Sequence, residues 1–240
     1  MGTVHGEYSM KERPDVSVIL PCRTEEATVG ICVDGARNFL KRAGLTGEVI
    51  VVDNGSEDAS AEAAEFHGAV VLKESAEGYG KALRAGIAAA RGEVLLMADS
   101  DTTYDMAELR RLYRCIKKKG CDMVIGNRFA GGIEPGAMSL SHMMGVVFLS
   151  ALGRLRFHTD VRDFHCGMRG MTRRAAKSLK LKADGMEFAT EMIAGAAARG
   201  MRIGQVPVSL KKCVYPRQSK LRAVRDGFRH LGMLFRRCAS

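Results

Sequence analysis

The amino-acid sequence predicts an α/β fold with a mostly parallel central sheet and helices on both faces. Short runs rich in Val, Ile and Leu, typical of buried strands, alternate along the first half of the chain with segments of helical length. The 240 residues are 46% hydrophobic and 27% charged, which is enough for one sizeable core. Sheets of this kind bind ligands at the carboxyl ends of their strands, so the residues after each strand are the first candidates for chemistry.

The predicted elements alternate regularly as far as residue 126. Buried strands are predicted at 16–21, 48–53, 69–73, 93–98 and 122–126, and helices at 26–43, 59–67, 80–91 and 105–119. After a Gly-rich turn, the apolar stretch 143–153 is shorter than the about twenty residues that a helix needs to cross a bilayer. A further helix at 186–199 and a strand at 203–210 complete the pattern.

The net charge of +10 is concentrated at the C-terminal end. Residues 211–240 contain nine Lys or Arg and one Asp, a net charge of +8, which leaves +2 for the preceding residues. Apolar residues recur there at helical spacing: Leu221, Val224, Phe228, Leu231 and Phe235. A basic amphipathic helix of this kind suits an anionic membrane surface, and equally a helix that packs on the core with a solvated basic face.

The cysteines and the N-terminal residues favour a cytoplasmic protein. Seven cysteines, an odd number, have no C-x-x-C spacing, and the polar first fifteen residues contain no signal segment. We therefore expect reduced thiols. The absence of Trp and the aromatic content of 6% disfavour a base-stacking platform, so a basic nucleic-acid-binding protein is a weak alternative that rests on charge alone.

Carboxylates follow three of the predicted strands. Glu25 follows the first strand, Asp53 ends the second, and Asp99 and Asp101 follow the fourth. Two acids directly after a buried strand are costly without a cation partner, and hard oxygen donors bind Mg²⁺ or Mn²⁺. The D-x-D pair is therefore a candidate metal site, whereas Asp105 reads as the cap of the next helix.

Two glycines open the third predicted helix, in the sequence GYGK at 78–81. The next glycine is Gly86, so neither the G-x-G-x-x-G fingerprint nor the P-loop spacing is met, and a Rossmann dehydrogenase is disfavoured. The same glycines could let the backbone approach a phosphate or sugar, or could serve close packing.

Nine motifs in register carry a family resemblance. They are VSVILPCRTEE at 16–26, VVDNGSEDAS at 51–60, GYGKALRAG at 78–86, ADSDTTYD at 98–105, GNRF at 126–129, DFHCGMRG at 163–170, GMEFATEM at 185–192, VPV at 206–208 and RQSK at 217–220. Together they resemble the inverting family-2 glycosyltransferases of the GT-A fold, in the branch of the polyprenyl-phosphate hexosyltransferases. The resemblance runs from residue 16 to residue 234. It implies a Rossmann-like nucleotide-binding half.

The resemblance implies a role for particular residues. The residues that it implies in donor binding are Pro21, Glu25, Asp53, Gly80, Lys81, Asp99, Arg217, Ser219 and Lys220. Asp99 and Asp101 would hold the metal on the donor diphosphate, Arg128 would meet an acceptor phosphate, and Asp163 would lie against the transferred sugar. The implied catalytic residues are Asp101, Arg128 and Asp163. The implied organisation is a flexible N-terminus at 1–14, a GT-A domain at 15–216 and a basic amphipathic helix at 217–240.

Two positions depart from the pattern of the resembled family. Thr103 stands where relatives often have a glutamine near the metal, and in the stretch 139–145 His142 stands alone where relatives place a second acceptor arginine. We interpret the pair His165 and Cys166 as structural residues and not as a metal site, because no further metal ligand lies close to them in the sequence.

The expected activity follows from the resemblance. It is metal-dependent transfer of a hexose from a UDP- or GDP-sugar to a polyprenyl phosphate, by a protein peripheral at the inner face of the cytoplasmic membrane. The basic tail would contact the anionic membrane surface. The alternatives are an enzyme of the same fold with a soluble acceptor and a nucleotidyltransferase that releases pyrophosphate. The sequence leaves the base and the hexose open.

Overall fold

The structure is a computed structural model that describes residues 13–213, 215 and 223–235. Over these residues the chain forms one seven-stranded sheet with helices packed on its two faces. The predicted fold class, a mostly parallel sheet flanked by helices, is confirmed. Its elements are β1 Val16–Cys22, α1 Glu26–Ala43, β2 Gly47–Asp53, α2 Ser60–Phe66, β3 Val70–Lys73, α3 Tyr79–Ala89, β4 Val94–Met97, α4 Leu109–Lys119, β5 Met123–Asn127, α5 Arg128–Gly131, α6 Leu140–Phe157, β6 Arg169–Thr172, α7 Arg173–Ser178, α8 Phe188–Ala198, β7 Ile203–Pro207 and α9 Ala223–Phe235.

The strand order is β3-β2-β1-β4-β6-β5-β7, and every pairing is parallel except those of β6. From β1 the chain moves outward to β2 and β3 and then returns to β4 on the other side of β1. The carboxyl ends of β1 and β4 therefore flank a topological switch point, which is where open α/β sheets form ligand clefts.

The antiparallel strand β6 determines which loop reaches this edge. It lies between β4 and β5, and Arg169 at its start pairs with Met97 and Ile125 near the carboxyl ends of its two neighbours. An antiparallel strand begins where its neighbours end. The loop 163–168 is consequently delivered to the same edge of the sheet as the residues that follow β4 and β5.

The core consists of both faces of the sheet and the helix faces that cover them. The central strands β1, β4 and β5 are almost completely buried, as continuous apolar runs predict for parallel strands covered on both faces. Gly86 lets α3 lie directly on the sheet, because a Cβ there would approach Ile19 Cγ2 to 2.4 Å. No helix among the described residues combines the length and the hydropathy that crossing a bilayer requires.

The C-terminal helix α9 packs on α6 and α8. Its inward side chains are His230, Met233 and Leu234, whereas Phe228 and Phe235 of the predicted apolar stripe are exposed. The predicted range 217–240 is wider than α9, and residues 216–222 and 236–240 lie outside the described part, as do residues 1–12 of the predicted N-terminal segment. The domain boundaries stay a prediction.

Candidate active site

A cavity of about 1040 Å³ opens at the carboxyl ends of β1 and β4. The loops after these two strands form its floor, α6 and α9 form much of one wall, and the turn before α8 closes it at one end. Ligand pockets in proteins typically measure about 300–1,000 Å³, so this cavity can hold two substrates of moderate size.

The turn from Asp99 to Asp101 is fixed to the end of β1. Ser100 Oγ donates to the Pro21 carbonyl at 2.8 Å, and Thr28 Oγ1 from α1 donates to the Ser100 carbonyl at 2.8 Å. The chain then bends at Thr102, whose φ of 61° is in the left-handed region. Successive residues of a straight strand point to opposite faces, and this bend lets both Asp99 and Asp101 line the cavity.

The residues around the two carboxylates hold them in place. Thr103 donates to Asp101 Oδ1 through its backbone N at 3.0 Å and through its hydroxyl, and the Tyr79 hydroxyl donates to Asp99 Oδ1 at 3.3 Å. Gly167 lies against Asp99, because a Cβ at position 167 would come within 2.2 Å of Asp99 Oδ2. The Thr103 position, which departs from the resembled family, therefore orients one of the two carboxylates.

This donor set fits a small hard cation. Among the described residues no group of three or more His, Cys, Asp or Glu is placed to hold a metal ion, and the candidate site in these residues is the pair of carboxylates. Mg²⁺ is usually held by one or two carboxylates together with substrate phosphates and water. The arrangement of Asp99 and Asp101 at the cavity floor agrees with that type of site.

Arg128 and Asp163 form a buried bidentate ion pair. Arg128 Nε donates to Asp163 Oδ2 at 2.7 Å and Nη2 donates to Oδ1 at 2.8 Å, and the Arg128 backbone N adds a third bond at 3.2 Å. The Asp163 side chain is 0% exposed and does not line the cavity, whereas Arg128 does. Asp163 thus contacts Arg128 in this structure, and the expected contact with a sugar stays a prediction.

The residues at the end of β2 hold the neighbouring loop. Asp53 is buried, accepts from the Ser56 backbone N at 3.0 Å and does not line the cavity, so its expected part in donor binding stays a prediction. Asn54 does line the cavity. Its side chain donates to the Glu74 and Ala76 carbonyls and accepts from the Gly78 backbone N at 2.8 Å. Asn54 therefore shapes the loop that leads into α3.

Gly80 has a packing role. Its backbone N donates to the Asp184 carbonyl at 2.9 Å, and a Cβ at position 80 would approach the Ala183 carbonyl oxygen to 2.2 Å. Gly80 therefore lies against the turn before α8 and does not line the cavity, and its expected part in donor binding stays a prediction. The next residue, Lys81, does line the cavity.

Two histidines meet at the wall formed by α9. The rings of His165 and His230 pack edge to face with centroids 4.3 Å apart, and His230 Nδ1 lies 2.8 Å from Thr190 Oγ1. Both ring nitrogens of His165 are buried without a hydrogen-bond partner among the described residues. Burial, together with His230 and Arg128, lowers the pKa of His165 well below its usual value, so the ring is neutral at pH 7.

The cysteines near the cavity are protonated thiols. Burial raises the pKa of Cys22 to about 11 and the pKa of Cys166 to about 12. All cysteines in the described ranges are free thiols. A thiolate nucleophile is disfavoured because the fraction ionised at pH 7 is very small.

Helix α6 has two different faces. His142, Val146 and Leu149 line the cavity, whereas the opposite face exposes a row of large apolar side chains: Leu140, Met144, Val147, Phe148 and Leu155. Phe148 is 61% exposed and Leu155 76% exposed. We call this row the outer apolar face. It lies directly outside one wall of the cavity.

The structure brings most of the predicted residues together. The cavity is lined by Pro21, Glu25, Lys81, Asp99, Asp101 and Arg128, and it is not lined by Asp53, Gly80 and Asp163. Arg217, Ser219 and Lys220 lie outside the described residues. Sequence reasoning missed Tyr79, Asn54 and Arg229, which also line the cavity. Tyr79 and Asn54 lie inside two of the motifs given above. Arg229 lies in none of them, and no sequence pattern distinguishes it from the other arginines of the basic C-terminal segment.

Comparison with known proteins agrees with this geometry. The family model described as glycosyl transferase family 2 matches residues 17–180. The low-salt glycan biosynthesis hexosyltransferase Agl6 of Haloferax volcanii is 34% identical over 221 residues, which cover 91% of this chain and 52% of that protein. The chain thus spans about half the length of this relative.

A second relative and a solved structure are similar over most of their own length. The dolichyl-phosphate hexose transferase of Haloferax volcanii is 29% identical over 199 residues, covering 82% of this chain and 83% of that protein. The glucosyl-3-phosphoglycerate synthase of Mycobacterium tuberculosis, solved with Mn²⁺, UDP and glucosyl-3-phosphoglycerate, superposes with a TM-score of 0.72 at 22% identity. The superposition covers 92% of this chain and 78% of the synthase, and it establishes a common fold.

Proposed function

The chain belongs to glycosyl transferase family 2, and we propose that it transfers a hexose from a UDP- or GDP-sugar to a polyprenyl phosphate, with a divalent cation, at the membrane surface. The observation that carries the proposal is a single cavity lined by the Asp99 and Asp101 carboxylates, by Arg128 and by α6, whose other face is apolar and exposed. In this proposal the two carboxylates and their cation would face the donor diphosphate, and Arg128 would face the acceptor phosphate.

The donor would bind at the floor of the cavity. Asp99 and Asp101 would hold Mg²⁺ or Mn²⁺, which when bound supplies positive charge to the donor diphosphate. Pro21 and Glu25 at the end of β1 would lie beside the nucleoside, and Lys81 beside the phosphates. The glucosyl-3-phosphoglycerate synthase structures with Mn²⁺ or Mg²⁺ and UDP support this assignment through the common fold.

In the reaction, an oxygen of the acceptor phosphate attacks the anomeric carbon. A new carbon–oxygen bond to that phosphate forms while the bond to the donor diphosphate breaks, and the electron pair leaves with the nucleoside diphosphate. Negative charge grows on the leaving group, so cations that face it stabilise the transition state more than the ground state. Arg128 would position the acceptor phosphate for the attack.

The Arg128–Asp163 pair makes Asp163 a poor candidate for the general base that a hydroxyl acceptor would need. Both oxygens of the buried Asp163 accept hydrogen bonds from Arg128. A phosphate oxygen is anionic at neutral pH and needs no base. Asp163 would then serve by holding the guanidinium of Arg128 in one orientation.

The outer apolar face supports a lipid acceptor. Soluble monomers rarely expose a contiguous apolar patch of this kind without a binding role, and the cations Arg154 and Arg156 in the last turn of α6 are exposed beside it. An apolar face with basic neighbours suits the interface of an anionic bilayer. The similarity to the dolichyl-phosphate hexose transferase of Haloferax volcanii also supports a lipid-linked phosphate as the acceptor.

The proposal is tested by supplying labelled UDP- and GDP-hexoses with a long-chain polyprenyl phosphate in anionic liposomes. We expect the label to move into the organic phase on solvent extraction. Label that stays in water with every donor, but appears on a soluble phosphorylated acid, would favour the soluble-acceptor alternative. Release of inorganic pyrophosphate without transfer would indicate a nucleotidyltransferase.

The role of the outer apolar face is tested with Phe148→Glu. We expect weaker sedimentation with anionic liposomes and slower transfer to the bilayer-embedded acceptor, with an unchanged rate on a short water-soluble prenyl phosphate. The matched control is Phe66→Glu, because Phe66 is 88% exposed on α2, outside the outer apolar face. Equal liposome binding by both variants and the wild type would remove the support for a lipid acceptor.

A further inference from the structure

Helix α9 delivers an arginine to the cavity. Contact of His230 with Thr190 and burial of Met233 and Leu234 fix how the helix lies on α8 and α6. One residue before His230, Arg229 lines the cavity. Its side chain is 47% exposed. The C-terminal helix therefore contributes a cation to the site, in addition to closing its wall.

Three of the other arginines that line the cavity make direct hydrogen bonds to protein groups. Arg23 makes two hydrogen bonds to the Glu77 carboxylate, at 3.0 and 2.8 Å. Arg128 makes its bidentate pair with Asp163. Arg169 is buried and donates to backbone carbonyls, among them that of Cys166 at 3.0 Å.

Lys81 and Arg229 are held differently. Lys81 Nζ lies 3.9 Å from Asp184 Oδ2, and Asp184 already receives a 2.6 Å bond from Arg84. Arg229 Nη1 lies 3.9 Å from Glu187 Oε2. Both distances exceed hydrogen-bond range, and Glu187 Oε2 is buried without a hydrogen-bond partner among the described residues. Within the part of the chain that the structure describes, Lys81 and Arg229 are the Lys or Arg side chains lining the cavity that make no direct hydrogen bond to a protein group.

The two cations contact the same turn. Lys81 pairs with Asp184, and its backbone N points at the Asp184 carbonyl at 3.4 Å. Arg229 Nη1 lies over Gly185, at 2.7 Å from the place where a Cβ would stand. The turn 184–187 is thus contacted by two loosely held cations from different helices, Lys81 of α3 and Arg229 of α9.

We propose that Arg229 is a phosphate-binding residue of the active site, paired with Lys81 for a ligand that carries more than one phosphate charge. The proposal rests on the proposed function for its ligand. A guanidinium offers several donors in a fixed fork, which matches phosphate oxygens bidentately, and a ligand phosphate would replace the distant contact with Glu187. The diphosphate of the donor suits two cations that contact the same turn. The phosphate of the acceptor is a second ligand group that could bind Arg229 in the same way.

The test compares ligands with and without phosphate. Binding of UDP and uridine, GDP and guanosine, inorganic pyrophosphate and farnesyl phosphate is measured by calorimetry for the wild type, Arg229→Gln and Arg229→Lys. Removing a charge-assisted bond to phosphate should weaken the better-binding nucleoside diphosphate by roughly ten-fold or more, with the nucleoside unchanged. Arg229→Lys keeps the charge and should lose less.

The matched control is Arg114→Gln, since Arg114 is an exposed arginine on α4 that does not line the cavity. A selective loss of farnesyl phosphate binding in Arg229→Gln would also support the proposal and would identify the acceptor as the source. Equal weakening of nucleoside and diphosphate, an unchanged affinity for every phosphate, or no phosphate binding by the wild type would overturn it.

The transfer assay separates this proposal from the proposed function. If the wild type transfers hexose while Arg229→Gln binds every phosphate ligand normally, the role of Arg229 is wrong and the proposed function stands. If the wild type binds pyrophosphate through Arg229 but transfers no hexose to any acceptor, the proposed function is wrong and the role of Arg229 stands.

Discussion

The Arg128–Asp163 pair gives the sharpest single prediction, through the substitution Asp163→Asn. Asp163 accepts bonds from Arg128 Nε, Nη2 and backbone N, and a longer bond of 3.3 Å from the His165 backbone N. The asparagine amide has nearly the same shape, so the change removes the negative charge and turns an NH₂ group toward the guanidinium. Arg128, with a side chain only 6% exposed, is left with an uncompensated charge.

The expected loss of stability in Asp163→Asn follows from the burial of both partners. Removing one partner of a buried pair costs about 3–5 kcal/mol, because the remaining charge stays desolvated. Many domains have only about 5–15 kcal/mol of total stability, so Asp163→Asn should remain folded at low temperature but with a much lower urea midpoint. Transfer should fall as well, since Arg128 loses the partner that orients it.

A matched control separates the effect of burial on stability from the effect of the bidentate contact itself. Arg23 and Glu77 also form a bidentate pair, through Nη1 and Nη2 of Arg23, but the Glu77 side chain is 69% exposed. Glu77→Gln should therefore change the free energy of unfolding by less than about 1 kcal/mol. The reasoning is refuted if Asp163→Asn, measured by urea unfolding with circular dichroism, loses no more stability than this exposed control.

Three further predictions concern the floor of the cavity and its wall. Gly167→Ala should push the Asp99 carboxylate aside, because a Cβ would stand 2.2 Å from its oxygen, and should weaken Mn²⁺ binding in titrations at little cost in melting temperature. Thr103→Val removes one bond to Asp101 and should lower the affinity for Mn²⁺ by roughly ten-fold; an unchanged affinity would mean that the backbone bond is sufficient. Because burial lowers the pKa of His165 in the folded state, the unfolded chain binds more protons below about pH 6.5, and the free energy of unfolding should fall as the pH decreases from 7.5 to 5.5. His165→Gln should show a shallower decrease in urea unfolding at the two pH values, and an identical slope would contradict this assignment.

Much of the first half of the fold was predictable because local patterns decide it. Helix 26–43 was predicted with the bounds that the structure gives, and the first five predicted strands lie within a residue or two of those observed. Continuous apolar runs and long amphipathic segments determine such elements with little help from distant contacts. The carboxylates after β4 were found for the same reason, since charge directly after a buried strand is conspicuous.

The other elements depend on distant contacts. Strand β6 is four residues long and begins with Arg169, which is buried only because carbonyls from its own loop and from α8 surround it. The pairing of Arg128 with Asp163 joins residues 35 positions apart, and no local pattern specifies it. Likewise, α9 turns Arg229 into the cavity and Phe228 outward because His230 is anchored on α8.

The central claim is that the cavity binds a nucleotide-sugar through a cation held by Asp99 and Asp101. The most direct test is the melting temperature of the wild type and of Asp101→Asn with UDP-, GDP- and dTDP-sugars, each with and without Mn²⁺. A ligand that binds the native state raises the melting temperature, so at least one sugar nucleotide should do so for the wild type in the presence of Mn²⁺ and fail to do so for Asp101→Asn. An equal shift in the variant, or the same shift with a chelator, would contradict the account.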